Sequence, residues 1–247
     1  MKAAQTIYGM HAVRALLERD PQRVLNVLLA ERREDPRARA IEELAQRHRR
    51  PVQRVTAESL KQLLGAASHQ GVAAEIVPLA PWTEDHLLEA LTSARAPIIL
   101  ALDGVQDPHN LGACLRTADA CGALAVVVPK DRAAQLNPTV RKVATGAAET
   151  TPVVAVTNLV RALKLLKDAG LWVVGAAAGA DKEAREVDLT AGVVLVLGAE
   201  GSGLRHLTQQ TCDLMVRLPQ RGSVESLNVS VAAGMLLYET LRQREAK

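Results

Sequence analysis

The rhythm of apolar positions changes near residue 80. Before that point, short segments of different period follow one another. Over 9–17 (GMHAVRALL), Met10, Val13, Leu16 and Leu17 recur at helical spacing until Asp20 and Pro21 stop the run. The stretch 24–29 (VLNVLL) is nearly continuous in apolar residues and predicts a strand. An Arg- and Glu-rich helix is predicted over 36–48, then a short strand at 52–55, a helix at 57–64 and an apolar strand at 72–77. Mixed elements in so short a span predict a small α+β domain built on a sheet. Pro78 and Pro81 break the last strand ahead of one amphipathic helix. This sets a first domain at 1–78, a linker at 79–96 and a second domain at 97–247.

In the second domain, apolar strand, loop and helix repeat. Strands are predicted at 98–102, 124–128, 153–156, 171–176, 193–197 and 214–218, and helices at 111–121, 139–148, 159–169, 204–211 and about 228–244. Strands that are continuously apolar, rather than alternating, belong to a parallel sheet covered on both faces. The expected fold class is therefore α/β, a doubly wound parallel sheet.

Composition narrows what such a chain does. Aromatic residues are 2% of the chain and Phe is absent, so the core must come from Ala, Val and Leu. RNA recognition through an aromatic stacking platform is disfavoured for the same reason. The net charge of +3 hides an imbalance, since residues 1–80 carry 13 Lys/Arg against 9 Asp/Glu and the rest 17 against 18. The excess gathers at Arg32, Arg33, Arg37, Arg39, Arg47, Arg49, Arg50 and Arg54. Two readings of it stand: a solvated helix face interleaved with Glu31, Glu34, Asp35, Glu42 and Glu43, or a phosphate-binding surface. Cys114, Cys121 and Cys212 form no CxxC and have no His at metal spacing, so zinc is not expected; Cys114 and Cys121, seven apart and on one face if helical, are expected in the core. An odd cysteine count without a signal peptide points to the reducing cytoplasm, and no apolar run is long enough for a membrane span.

The densest chemistry lies in two strand-and-loop units, VVLVLGAEGSGLR (193–205) and LMVRLPQRGSVESLNVSVAAGMLLYE (214–239). In each, an apolar strand stops at small and polar residues, as ligand loops do at the carboxyl ends of parallel strands. Gly198, Gly201 and Gly203 let the backbone face a flat ligand, and Glu200 is a carboxylate at a strand end. The GK[ST] of a P-loop is missing and no GxGxxG follows the first strand, which disfavours nucleoside triphosphates and dinucleotides held by those fingerprints. Glu225, Ser226 and Asn228 crowd a helix start that needs one cap. Upstream, the first strand runs into DGVQDPHNLGACLR (103–116), with an N-cap expected at Asn110 and a close approach of ligand or strand expected at Gly112. Arg116 lies among Ala and Leu, either reaching solvent or meeting an anion.

The ordered set N-x-G-x-x-x-R (Asn110, Gly112, Arg116), LGAEGSGL and LPQRGSVESLNVSVAAGMLLYE resembles the motifs of the SpoU (TrmH-type) RNA 2'-O-ribose methyltransferases. YGMHAVRALL and the pattern after it resemble that family's L30e-like substrate-binding domain, so the likeness spans nearly the whole chain. It implies a SPOUT-type fold whose C-terminal segment is threaded into a trefoil knot, a feature that periodicity does not show and general topology rules disfavour. It implies S-adenosyl-L-methionine held by Gly198, Gly201, Leu218 and Leu227, and catalytic or supporting roles for Asn110, Arg116, Glu200, Ser226 and Asn228. A guanidinium is a poor proton acceptor, so Arg116 is expected to stabilise the developing alkoxide and the adjacent phosphate. The resemblance further implies RNA as partner, with a guanosine of the 23S rRNA peptidyl-transferase P-loop as target, and a homodimer; the apolar last helix, 229–241, is read either as its interface or as ordinary core packing. It implies no metal, no DNA and no membrane. A non-catalytic rRNA-binding or assembly protein of the same fold is the alternative.

Overall fold

The computed structural model describes residues 5–31, 33, 35–65, 69–78, 81–223 and 226–246. The chain divides into two units, Met1–Ala80 with Thr145–Thr150, and Pro81–Ala144 with Thr151–Lys247.

In the first unit, β1 (Gln5–Tyr8), β2 (Val24–Ala30), β3 (Val52–Val55) and β4 (Val72–Ile76) form a mixed sheet in the order β1-β4-β2-β3. β4 runs antiparallel to β1 and β2, and β2 runs parallel to β3. Val27 and Leu29 of β2 face a core shared with α1 (Met10–Arg19) and α2 (Pro36–Arg47), while Leu28 packs with Leu60 of α3 (Ala57–Leu64) on the other side. That is the two-residue alternation of a strand between two layers. α2 starts where Asp35 accepts the backbone N–H of Arg37 and Ala38, with Pro36 in the first turn. The segment 145–150 brings Glu149 to the buried Arg23. Nη2 of Arg23 donates to Glu149 Oε2 at 2.8 Å, Nη1 to the Glu149 carbonyl at 2.9 Å and Nε to the Val77 carbonyl at 2.9 Å. A buried guanidinium is tolerated when its donors are met in this way.

The second unit contains β5 (Ile98–Asp103), β6 (Ala125–Pro129), β7 (Val153–Val156), β8 (Trp172–Ala176), β9 (Lys182–Glu183), β10 (Val193–Gly198) and β11 (Leu214–Arg217). They form a seven-stranded sheet in the order β7-β6-β5-β10-β8-β11-β9, parallel at every pairing, as the continuous apolar strands predict. Ile99, Ala101, Val127, Val194 and Val196 face one layer, where Leu87 of α4 (Glu84–Leu91) and Leu159, Leu163 and Leu166 of α7 (Leu159–Asp168) are buried. The other face is covered by α9 (Val229–Glu245), which packs on β10 and on α5 (Pro108–Ala120). α4 lies within 79–96, and Leu87 there is part of this unit's core.

Several boundaries differ from expectation for local reasons. α5 is capped by Asp107, which accepts the His109 N–H, so Asn110 sits inside the first turn and is not the cap. α6 (Pro138–Ala144) stops short of residue 148 because Thr145 and Gly146 take φ of 48° and 100°. The element that approaches Gly112 is not a strand but α6: a Cβ there would lie 2.7 Å from Val143 Cβ. α8 (His206–Thr211) begins two residues later than expected. Cys114 is buried, whereas Cys121 and Cys212 are half-buried; burial pushes the Cys114 and Cys212 thiols up to about 12. Among the described residues no helix is long and apolar enough to cross a membrane.

Candidate active site

From β5 the chain continues to β6 on one side of the sheet, and from β10 to β11 on the other. The carboxyl ends of such a strand pair are where an open α/β sheet makes a crevice. Two cavities lie there, and they share Ala199, Glu200, Gly203 and Val229.

The first cavity, about 320 Å³, is walled by 176–178 after β8, by the loop after β10, and by Leu218, Gln220, Ser226 and Leu227. Gly198, Gly201, Leu218 and Leu227, the four positions expected to hold a cofactor, all lie in this wall, with Glu200 and Ser226 beside them. The lining is largely small or aliphatic, so main chain supplies much of its polarity. The loop closes on itself through Gly203 N donating to the Ala199 carbonyl at 2.8 Å. A Cβ at Gly198 would stand 2.0 Å from Gly203 C and 2.1 Å from its carbonyl oxygen. Two main chains meet here, and neither yields as a flexible side chain would.

The second cavity, about 500 Å³, is polar, with Gln106, Asp107, Asn110, Arg132, Glu200, Ser202 and Arg205 in its wall and Asp103 beneath. The Asp103 side chain is 0% exposed. It accepts the Arg205 backbone N–H at 2.9 Å and Nε at 2.6 Å, and Nη2 of Arg205 also lies against it. Sequence reasoning did not single out Asp103, Arg132 or Arg205 as site residues. The available signal was an acid ending the otherwise apolar run IILAL.

Asn110 and Asn228, 118 residues apart, are joined directly, Asn228 Nδ2 donating to Asn110 Oδ1 at 2.9 Å. Oδ1 of Asn228 accepts the Ser230 N–H at 2.9 Å, so Asn228 both caps α9 and ties it to α5. Ser226 is on the cavity wall and is not the cap. Arg116 is exposed on α5, lines neither cavity, and makes no hydrogen bond or ion pair among the described residues. The structure thus brings together Asn110, Glu200, Ser226 and Asn228 and leaves Arg116 apart. Glu225 lies outside the described residues, as do Arg32 and Glu34.

The arginine cluster of the first unit divides between its two readings. Arg33 pairs with Asp35 at 2.6 Å, Arg54 with Glu42 at 2.5 Å, and Arg50 donates to the His48 carbonyl at 3.1 Å. These side chains hold the fold. The side chains of Arg37, Arg47 and Arg49 are exposed and have no hydrogen-bonding or ionic partner among the described residues.

Residues 97–238 match the SpoU rRNA Methylase family, and residues 6–82 match the RNA 2'-O ribose methyltransferase substrate binding family. The chain belongs to the SpoU rRNA methylase family. It is 55% identical to 23S rRNA (guanosine-2'-O-)-methyltransferase RlmB of Pseudomonas aeruginosa, over 99% of this chain and 98% of that one. The protein of the same name from Pseudomonas syringae pv. tomato is 52% identical, over 100% and 99% respectively. Among solved structures, the SpoU methyltransferase AviRb from Streptomyces viridochromogenes in complex with the cofactor AdoMet is similar with a TM-score of 0.76 and 25% identity, covering 99% of this chain and 92% of that chain.

Proposed function

We propose that this protein methylates the ribose 2'-oxygen of a guanosine in 23S rRNA, in the peptidyl-transferase P-loop, using S-adenosyl-L-methionine. The reaction and substrate class rest on the full-length likeness to the two Pseudomonas enzymes. The observation that carries the reading onto this chain is the junction at Glu200 of an apolar, glycine-walled cavity and a polar one. A methyl donor in the first and a ribose in the second would face each other across that wall.

The first cavity fits the cofactor by chemistry, with aliphatic faces at Leu218 and Leu227 and main chain around Gly198, and its volume is at the lower end of the roughly 300–1,000 Å³ of small-molecule sites. When bound, S-adenosyl-L-methionine supplies a sulfonium methyl open to in-line displacement by the ribose oxygen. The work of the chain is alignment and electrostatics. Asn110, held by Asn228, turns its amide toward the ribose, and the Glu200 carboxylate accepts a hydrogen bond from the 2'-hydroxyl. Ser226 and Asn228 hold the loop that leads into α9.

Arg116 stabilises the developing alkoxide and the adjacent phosphate. Because it lines neither cavity of its own chain, it does so at the site of a second copy. A homodimer through α9 is supported by Val231, Met235 and Tyr238, which are 50%, 41% and 67% exposed and lie at i, i+4 and i+7. Support for a threaded C-terminus comes from connectivity: β10 lies inside β8 and β11 outside it, yet α9 returns to pack on β10. Among the described residues of the first unit, Arg37, Arg47 and Arg49 have the side chains left to meet RNA phosphates. The working place of such an enzyme is the cytoplasm, with neither DNA nor membrane as partner.

Calorimetric titration of the full chain with S-adenosyl-L-methionine tests the reading. One site per chain is expected; rRNA binding without any cofactor uptake would favour a non-catalytic assembly protein.

A further inference from the structure

We infer that Asp103 is a positioning residue that fixes Arg205 as a grip for an RNA backbone phosphate beside the target ribose, with Arg132 completing the grip across the polar cavity. The inference rests on the proposed RNA methyl transfer and adds to it the residues that seat the substrate chain.

Asp103 stands out in its strand. The five residues before it in β5 are apolar and buried, and it ends the strand with a fully buried carboxylate. Burying a charge is unfavourable unless it is paired, and an apolar replacement of a buried ion pair is often neutral or stabilising. What the pair supplies is geometry. One carboxylate holds both the main-chain N–H and the side chain of Arg205, which fixes the plane of the guanidinium. The engaged nitrogens are Nε and Nη2; Nη1 donates to no described residue, and the side chain remains 55% exposed in the cavity wall. A guanidinium held on one edge with its other donors open suits the oxygens of a phosphate.

Arg132 lines the same cavity, is exposed, and makes no hydrogen bond or ion pair among the described residues. Its segment is tied to the loop after β5 by Ala134 N donating to the Val105 carbonyl at 2.8 Å. The cavity also holds carboxylates. That of Asp103 is neutralised by Arg205, and Asp107 accepts the His109 N–H at the start of α5 at 2.9 Å. Glu200 is the carboxylate on the wall shared with the methyl-donor side. The polar cavity therefore offers Arg205 and Arg132 to a phosphate and the Glu200 carboxylate to a hydroxyl, the two groups that one ribose and its neighbouring phosphate present together.

The test uses the full-length protein and a 23S rRNA transcript, with RNA affinity measured across a series of KCl concentrations, cofactor affinity by calorimetry, and the single-turnover rate at saturating RNA. Arg205→Gln and Arg132→Gln should each weaken RNA binding about tenfold and lower the slope of log K against log salt by roughly 0.7–0.9, the signature of one lost phosphate contact. Cofactor affinity should stay within about twofold. Asp103→Asn should weaken RNA binding in the same direction, about threefold, and the double variant Asp103→Asn, Arg205→Gln should lose no more than Arg205→Gln alone, because the first residue acts through the second. The double variant also removes the risk that a lone buried carboxylate unfolds the protein. A wild-type salt slope in Arg205→Gln, or additive losses in the double variant, would overturn the inference. Wild-type protein that transfers no methyl group would instead defeat the proposed reaction, while the salt slopes would still decide the grip.

Discussion

The two cavities that meet at Glu200 are built by opposite means. The first cavity depends on what is missing, since its loop folds back on β10 because Gly198 has no side chain to meet Gly203. The second depends on what is present: a buried ion pair from β5 to the loop after β10, and an amide pair from α5 to α9. A main-chain clash has no cheap relief in a packed interior, whereas losing the Asn110–Asn228 hydrogen bond costs on the order of 1 kcal/mol. The two sides should therefore fail differently, the first abruptly and the second by degrees.

The sharpest way to break that comparison is Gly198→Ala. One methyl group should lower cofactor affinity by about 100-fold or more, and the displaced loop should cost roughly 1–3 kcal/mol of stability. Calorimetry and thermal melts check both, and unaltered cofactor binding would show that the fold-back does not shape the cavity. Arg116→Ala should leave cofactor affinity intact and lower the single-turnover rate by at least about tenfold. If Arg116 serves a second copy, mixing Arg116→Ala with Asn110→Ala chains should restore part of the activity that each lacks alone; mixtures no better than their components would confine Arg116 to its own chain or remove it from the chemistry. Asn228→Asp is gentler. It keeps the cap acceptor for Ser230 but removes the donor to Asn110, so the melting temperature should hold while the single-turnover rate falls several-fold, about 1 kcal/mol in barrier. A rate loss that appears only with Asn228→Ala, together with lower stability, would reduce Asn228 to a cap.

How much of this could be read in the sequence follows the same division. The parallel sheet was legible because strands buried on both faces are continuous apolar runs, as in VVLVLG and IILAL. That Gly198, Gly201, Leu218 and Leu227 line one cavity was legible through the likeness of LGAEGSGL and the SLN stretch to family motifs, each a short run of neighbouring residues. Asp103 and Arg205, 102 residues apart, are joined through packing that no local pattern records. The expected cap at Asn110 gave way to Asp107 and Pro108, a stronger helix start three residues earlier. β1 and β9, four and two residues long, are too short to show a period and exist through edge pairing with β4 and β11. The first half of α9, 229–238, is apolar nearly all round, so the sequence could not separate its buried face from the Val231, Met235 and Tyr238 stripe; the fold separates them.

The most direct test of the account is methyl transfer itself. Unmethylated 23S rRNA, the full-length protein and methyl-labelled S-adenosyl-L-methionine should give one labelled position per rRNA molecule, on the ribose 2'-oxygen of a guanosine in the peptidyl-transferase P-loop. Label on a base, or a folded protein that binds the cofactor and this RNA yet transfers nothing, would contradict it.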